Sequence, residues 1–232
     1  MSTNIHYVAE LKDVREISLT GTADLGYWKD RLAAENLVPV DYEGKAKILV
    51  SSIDSKFMKI RFREMVFAVF VNNPGAGSDH GAAYLGHAFN SSKLFAFIER
   101  NVFSTPYYLG QIHLDLSLPA SMNVVTENQM VFRARMSADA DMAARKPARS
   151  KYDLWRGALY LPTRPGKKPK MFWAKIGGHT DYYPFVEGDV ITIKPRSDQP
   201  MLQALVDSGF VGEEWCLREA AAHAKSKTVA RR

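Results

Sequence analysis

"FMKIRFREMVFAVFV", residues 57–71, sets the architecture. Side chains of a strand point alternately to its two faces. Here one parity is apolar almost throughout: Met58, Ile60, Phe62, Val66, Ala68 and Phe70. That alternation, carried by aromatic and β-branched residues, predicts a long strand rather than a helix. Glu64 falls in the same apolar row. A carboxylate turned toward apolar neighbours must find a partner or take up a proton. Such groups serve acid–base chemistry; a structural ion pair with an arginine, or a place at a barrel rim, is the plainer reading. Arg61 and Arg63 alternate to the opposite face.

The flanking segments repeat the pattern. "KAKILVSSI" (45–53) reads as a strand that turns at "DSK" (54–56). "NNPGAGSDHG" (72–81) is a loop rich in breakers, and "AAYLGHAF" (82–89) is the next strand. "NSSKLFAFIERN" (90–101) is helical, with Asn90 or Ser91 as N-cap and Leu94, Phe95 and Ile98 on one face. A strand then runs from Tyr107 to about Leu118, and "MVFRARM" (130–136) forms another. "SADADMAARKPARSK" (137–151) is a mobile or partly helical loop. Strands at about 152–161 and 171–176 flank the hairpin connection "PTRPGKKPK", and "DVITIKP" (189–195) is the last strand. Helices are expected at "TADLGYWKDRLAAEN" (22–36), with Leu25, Trp28 and Leu32 on one side, and at "QPMLQALVDSG" (199–209) and "GEEWCLREAAAHA" (212–224). Many alternating strands with few helices between them predict an α+β, mainly β protein: an antiparallel sheet closed, or nearly closed, into a barrel with a few flanking helices. No linker interrupts it, so residues 1–224 are read as a single domain. The tail "KSKTVARR" (225–232) is basic, polar and terminal, and is read as disordered.

The chain has 232 residues, 46% hydrophobic and 24% charged, enough apolar material for a core. Its single cysteine, Cys216, excludes an intramolecular disulfide framework and a cysteine zinc site, and points to the cytoplasm. The opening "MSTNIHYVAELKD" has no signal-peptide pattern, and the longest apolar run, "MVFAVFV", is too short to cross a membrane as a helix. Of the net charge of +6, the tail holds four positive charges, which leaves +2 for residues 1–224. The basic stretch from Arg145 to Lys170 carries no nucleic-acid-binding motif and is read as solvated loops. Neither a nucleic acid nor a membrane is expected as a partner.

Other residues stand out by their surroundings. His87 shares a parity with Ala83, Leu85 and Phe89, which makes it a pocket histidine or a satisfied core one. Gln111 and His113 alternate in phase with Tyr107, on a face that is either solvent or a polar barrel interior. Lys175, in "MFWAKIGG", shares its face with Met171 and Trp173. Turned inward it would be a desolvated amine suited to imine chemistry; turned outward it snorkels at the strand end. The histidines, His80 among them, show no metal spacing, and "PGAGSDHG" lacks the glycine register of a phosphate or dinucleotide loop. No cofactor or metal is expected. Cys216 reads as packing.

The order of a strand with Arg-x-x-Glu ("RFREMVFAVFV", 61–71), a loop, a strand, and a short helix ending in "ERNVFSTPYYLGQIHLDL" (99–116) resembles the acetoacetate decarboxylase-like superfamily. In its decarboxylases a proline precedes two lysines. The first forms a Schiff base with the keto acid, and the second lowers its pKa by like-charge repulsion. Pro106 matches the proline, Tyr107 and Tyr108 fall on the lysine positions, and Glu64 matches a carboxylate near the lysine. The Pro-Tyr-Tyr sequence also resembles a branch that keeps the fold without the lysine pair. A phenol forms no imine, but it can hydrogen-bond a carbonyl or act as a general acid.

Two functions follow from that resemblance. The first is an enzyme, a lyase of decarboxylase, hydratase or aldolase type. It would act on a small or aromatic keto or carboxylic acid, without the usual imine. Tyr107, Glu64 and Tyr108 would be its catalytic groups, and His87, Arg100, Gln111, His113, Arg61 and Lys175 would bind substrate. The second is a non-catalytic protein that holds an apolar or aromatic small molecule on the same fold. The resemblance and the aromatic content also imply a homo-oligomer.

Overall fold

The computed structural model describes residues 5–72, 81–138 and 145–231. His80 and most of "PGAGSDHG", and residues 139–144 of the loop expected at 137–151, lie outside them. In chain order the elements are β1 (Tyr7–Asp24), α1 (Leu25–Ala33), β2 (Asp41–Tyr42), β3 (Lys45–Phe57), β4 (Ile60–Phe70), β5 (Gly81–Asn90), α2 (Lys93–Asn101), β6 (Tyr107–Leu109) and β7 (Gln111–Asp115). There follow β8 (Ser121–Thr126), β9 (Gln129–Arg135), β10 (Arg149–Tyr160), β11 (Lys170–Pro184), β12 (Val190–Ile193), α3 (Pro200–Asp207), β13 (Val211–Ser226) and β14 (Val229–Ala230).

The hairpin β3–β4 contains the decisive stretch. Its turn is at Met58–Lys59, where both residues have positive φ (49° and 69°), as a two-residue hairpin turn demands. The turn expected at 54–56 is instead paired strand. The Asp54 carboxylate accepts from Nε and Nη2 of Arg61 (2.8 and 2.7 Å) and from Nε of Arg63 (3.1 Å), so the polar run forms cross-strand ion pairs. β1 pairs with β13 on one side and β3 on the other, and this closes the ring β1–β13–β11–β10–β5–β4–β3. The expected mainly β, nearly closed barrel is thus present; its β10–β5 pairing, and that of β5 with β6 beside it, are parallel.

A second, antiparallel sheet, β12–β9–β8–β7, packs with α1 and α3 on the outside of the ring. The main core lies there. Met65, Phe67 and Val69 of β4 meet Met122, Val124 and Phe132, while Trp28, Leu32, Leu202 and Leu205 extend the layer. Leu25, Trp28 and Leu32 are the buried side of α1, as the periodicity predicts. The other parity of β4 (Phe62, Glu64, Val66, Ala68 and Phe70) faces the lumen of the ring, a cavity of about 1180 Å³.

Other expectations fail because of tertiary pairing. "GEEWCLREAAAHA" is strand, not helix: β13 is hydrogen-bonded on both edges, to β1 and β11, which overrides the helix preference of its alanines. Residues 225–231 of the tail are not disordered. Lys225 and Ser226 complete β13, Val229 and Ala230 pair with Met171 and Lys170, and the Arg231 N–H donates to the Pro169 carbonyl at 2.8 Å. The strand expected over 107–118 breaks at Gly110 into β6, on the ring, and β7, in the second sheet. The N-cap of α2 is Ser92 rather than Asn90 or Ser91, and Leu94 is exposed while Phe95 packs on Phe62. No helix of the described residues is long and apolar enough to cross a membrane.

Candidate active site

Strand alternation turns Glu64 into the lumen, where two donors meet it. Asn90 Nδ2 donates to Oε1 at 2.8 Å, and the Tyr107 hydroxyl donates to Oε2 at 3.0 Å. Asn90 is fully buried at the end of β5, and its Oδ1 accepts the Ser92 N–H at 2.8 Å, which fixes the amide with its NH2 toward Glu64. Tyr107 opens β6 beside Ala88, whose N–H donates to the Pro106 carbonyl at 2.9 Å. The proline segment therefore sets where the phenol enters the lumen. Beside this pair, Glu99 of α2 accepts from the buried Thr105 hydroxyl at 2.7 Å and forms an ion pair with Lys225 of β13. The Lys225 ammonium lies over the rings of Phe172 (4.6 Å), Phe103 (5.0 Å) and Tyr107 (5.9 Å). Such cation–π contact stabilises a partly desolvated ammonium.

The electrostatics divide these groups by role. Burial first, and then the Glu99 carboxylate, push the Glu64 carboxyl up to about 7; Lys225, Tyr107 and Asn90 oppose the shift without cancelling it. Burial, Glu64 and Glu99 push the Tyr107 phenol well above its ordinary value, so it remains a proton donor. A carboxyl that titrates near neutrality, a phenol that keeps its proton and a paired ammonium thus line one wall of a mostly apolar cavity. Together they can hold an oxyanion and move a proton.

A second polar cluster lies elsewhere in the lumen. Glu16 accepts from Ser18 (2.7 Å) and Ser51 (3.0 Å) and contacts Arg218 (2.9 Å) and His223 (3.1 Å). Burial would raise its carboxyl, but Arg218 and His223 outweigh that and hold it well below the usual range. Cys216 also borders the lumen, and burial pushes its thiol up to about 12, so it carries no thiolate. Among the described residues no three His, Cys, Asp or Glu side chains converge as metal ligands.

Of the residues singled out from sequence as site candidates, Tyr107 and Glu64 meet in the lumen and the others do not line it. Tyr108 alternates outward and stacks on His87 (4.5 Å between centroids, 6° between planes), with Arg100 over its ring at 4.6 Å. His87 does not share a face with Ala83 and Leu85. The β4–β5 register shifts between His87 and Leu85, and this bulge at Gly86 reverses the alternation. Burial lowers the His87 imidazole to about 4. Gln111 and His113 are exposed on β7, and Arg61 is held outside the ring by Asp54. All of these, with Arg100, border a concavity outside the ring. Lys175 lies between Ala174 and Ile176, which line the lumen, and so faces away from it.

Sequence reading missed Glu99, Asn90, Thr105, Lys225 and the Glu16 cluster. The polar parity Glu16, Ser18, Thr20, Thr22 in β1 was a usable signal. Lys225 was not recoverable in the same way. Arg218 and His223 both face the lumen although their parities differ, because β13 changes register between them.

No protein-family model matches the chain, and no curated protein matches it in sequence. Among solved structures it is similar to acetoacetate decarboxylase from Legionella pneumophila, with TM-score 0.62 and 13% identity over 98% of this chain and 90% of that one. An acetoacetate decarboxylase-like enzyme from Sphingomonas wittichii RW1 matches with TM-score 0.59 and 12% identity over 96% and 93% of the two chains. The enduracididine biosynthesis enzyme MppR, complexed with the condensation product of pyruvate and imidazole 4-carboxaldehyde, matches with TM-score 0.61 and 11% identity over 99% and 91%. At these identities the likeness is one of fold: nearly the whole chain follows the acetoacetate decarboxylase fold.

Proposed function

We propose that this chain is an enzyme, a lyase acting on a small or aromatic oxo acid in the lumen of the ring, with Glu64 and Tyr107 as its acid–base pair. The observation that carries this reading is the hydrogen bond from the Tyr107 phenol to a carboxyl raised to about 7. A proton can leave or return to such a group at neutral pH with little driving force either way. The acetoacetate decarboxylase-like fold of the neighbours, one of them holding a pyruvate-derived product, supports the substrate class.

In the decarboxylation of a 3-oxo acid the bond between Cα and the carboxylate breaks, CO2 leaves, and the electron pair left on Cα forms an enolate with the neighbouring carbonyl; a 2-oxo acid would leave no such enolate and enters only the aldol or hydratase chemistry. The Tyr107 O–H would turn from Glu64 to the enolate oxygen, and the Lys225 ammonium would stabilise the same negative charge. Protonated Glu64 would then deliver its proton to carbon. Aldol or hydratase chemistry would use the pair in reverse, with the Glu64 carboxylate taking a proton α to the carbonyl. A panel of 2-oxo and 3-oxo acids, read by CO2 release and by exchange of α-protons in D2O, tests the reading. General acid–base catalysis contributes about 10²–10⁴-fold, so Glu64→Gln should lose about that factor in kcat. Binding across the panel with no turnover would leave a small-molecule-binding protein instead.

Lys225 favours a second reading. Position 107 cannot form an imine, but Lys225 places an amine over the same ring. After losing a proton it could add to a ketone and expel water as an iminium ion forms. Borohydride trapping with peptide mapping separates the two. A reduced adduct on Lys225 means imine chemistry from a different strand; turnover without any adduct means that the phenol and carboxyl act alone.

A further inference from the structure

The reaction above makes no use of the Glu16 cluster, yet pairing register places that cluster beside the reacting pair. Arg218 of β13 pairs with Glu16 of β1, Glu16 with Ile53 of β3, and Ile53 with Glu64 of β4. All four residues border the lumen, so they form one row across its wall. Adjacent strands lie about 4.8 Å apart, which puts the backbones of Glu16 and Glu64 about 10 Å from each other with Ile53 between them. β13 joins the two clusters a second time. His223 and Lys225 both border the lumen and are two residues apart, about 7 Å along the strand. The first contacts Glu16, and the second lies over the ring of Tyr107.

The cluster has a donor to spare. The Glu16 carboxylate, 2% exposed, is met by Ser18, Ser51, Arg218 and His223. Arg218 Nε donates to Thr180 Oγ1 at 2.7 Å, and Nη1 lies 2.9 Å from Glu16, which together fix the plane of the guanidinium. Among the described residues Arg218 Nη2 has no hydrogen-bond partner. It is not sealed off either: the buried unpaired side-chain atoms are Ser55 Oγ, His87 Nε2, Arg145 Nη2 and Thr228 Oγ1. A fixed guanidinium N–H that opens on a cavity offers an oxygen acceptor a charge-assisted bond. Stability alone does not account for the cluster, because a buried ion pair is often no more stabilising than apolar residues of the same volume. The lumen, at about 1180 Å³, also has room for much more than a three- or four-carbon oxo acid.

Resting on the lumen as the substrate site, we propose that Arg218 selects the substrate. That substrate is an oxo acid with a second oxygen group, carboxylate or hydroxyl, at its far end. The far oxygen binds Arg218 Nη2 while the oxo end meets Glu64, Tyr107 and Lys225.

Titration calorimetry of the whole protein with two matched pairs of acids tests this: 2-oxoadipate against 2-oxohexanoate, and 4-hydroxyphenylpyruvate against phenylpyruvate. In one pair the member with the second oxygen should bind about tenfold or more tightly, the scale of a hydrogen bond to a charged group, and that pair identifies carboxylate or hydroxyl. Arg218→Met with Glu16→Gln removes both charges together, so neither is left buried without its partner. Arg218→Lys keeps the charge beside Glu16 but loses the fork. Both variants should bind the two members of that pair within about twofold of each other, with the plain member bound as in the wild type. Equal affinities within both pairs, or a preference that survives in both variants, overturn the proposal and leave the lyase reading standing. A preference lost with Arg218, in a protein that neither decarboxylates 3-oxo acids nor exchanges α-protons, removes the lyase reading and keeps this site. Binding of none of the four acids overturns both.

Discussion

Glu64 is held by a fold that disfavours its charge, and pH should expose that. Its folded pKa is raised from 4.5 to about 7, so between those values the folded state keeps a proton that the unfolded state has released. Stability attached to this group is therefore full below pH 4.5 and lost as pH rises through 7, an effect of roughly 3 kcal/mol. Glu64→Gln should flatten that limb in urea melts taken from pH 4.5 to 8; an unchanged slope would place the effect elsewhere. Glu16 has the opposite sign. Its depressed pKa gives stability that is present above the unfolded value and lost only as pH falls below it, so the two carboxyls act in different windows. Tyr107→Phe removes a donor that opposes the Glu64 shift. Carboxyl NMR should then show Glu64 titrating higher than in the wild type, and a downward move would mean that the phenol is not its partner.

At the scale of elements, β13 completes the site. Truncation after Ser226 removes β14 and its pairing with β11, but keeps Lys225. Truncation after Ala224 also removes the ion pair to Glu99. The first should lower the melting temperature and retain ligand binding in the lumen, whereas the second should lose both; equal binding by the two would mean that Lys225 does not face the ligand. Gly110 divides β6 from β7 where two elements approach closely. A Cβ there would lie 2.9 Å from Val124 Cγ2 and 3.1 Å from Phe89 Cδ1. Gly110→Ala should cost about 1–3 kcal/mol in denaturant unfolding, the usual range for overpacking.

Across the whole molecule, the ring buries the outer face of β4 against the second sheet and leaves its inner face around a cavity. Phe67, fully buried between β4 and the second sheet, should cost about 3–5 kcal/mol when replaced by alanine. Leu49 of β3 borders the lumen, so Leu49→Ala leaves less newly empty space and should cost clearly less. Equal costs in chemical denaturation would mean that the lumen is packed as tightly as the core. The same division explains why residues chosen together from the sequence fall at two sites: one set lines the lumen, the other the cleft outside it.

The strand pattern of residues 57–71, with its in-register Glu64, was legible because alternation is a local property of extended backbone. So were the amphipathic α1 and the β10–β11 hairpin. The pairing of Glu64 with Tyr107 was suggested by a resemblance, and the geometry bears out that they meet. What the chain order could not supply were the bulges at Gly86 and in β13, each of which reverses the face of every later side chain. Nor could it show the strand identity of 212–224, since a strand hydrogen-bonded on both edges draws its stability from distant partners. For that reason His87 moved out of the lumen and Lys225 moved into it. Which side chains share a cavity depends on register, and register is fixed only when the ring closes.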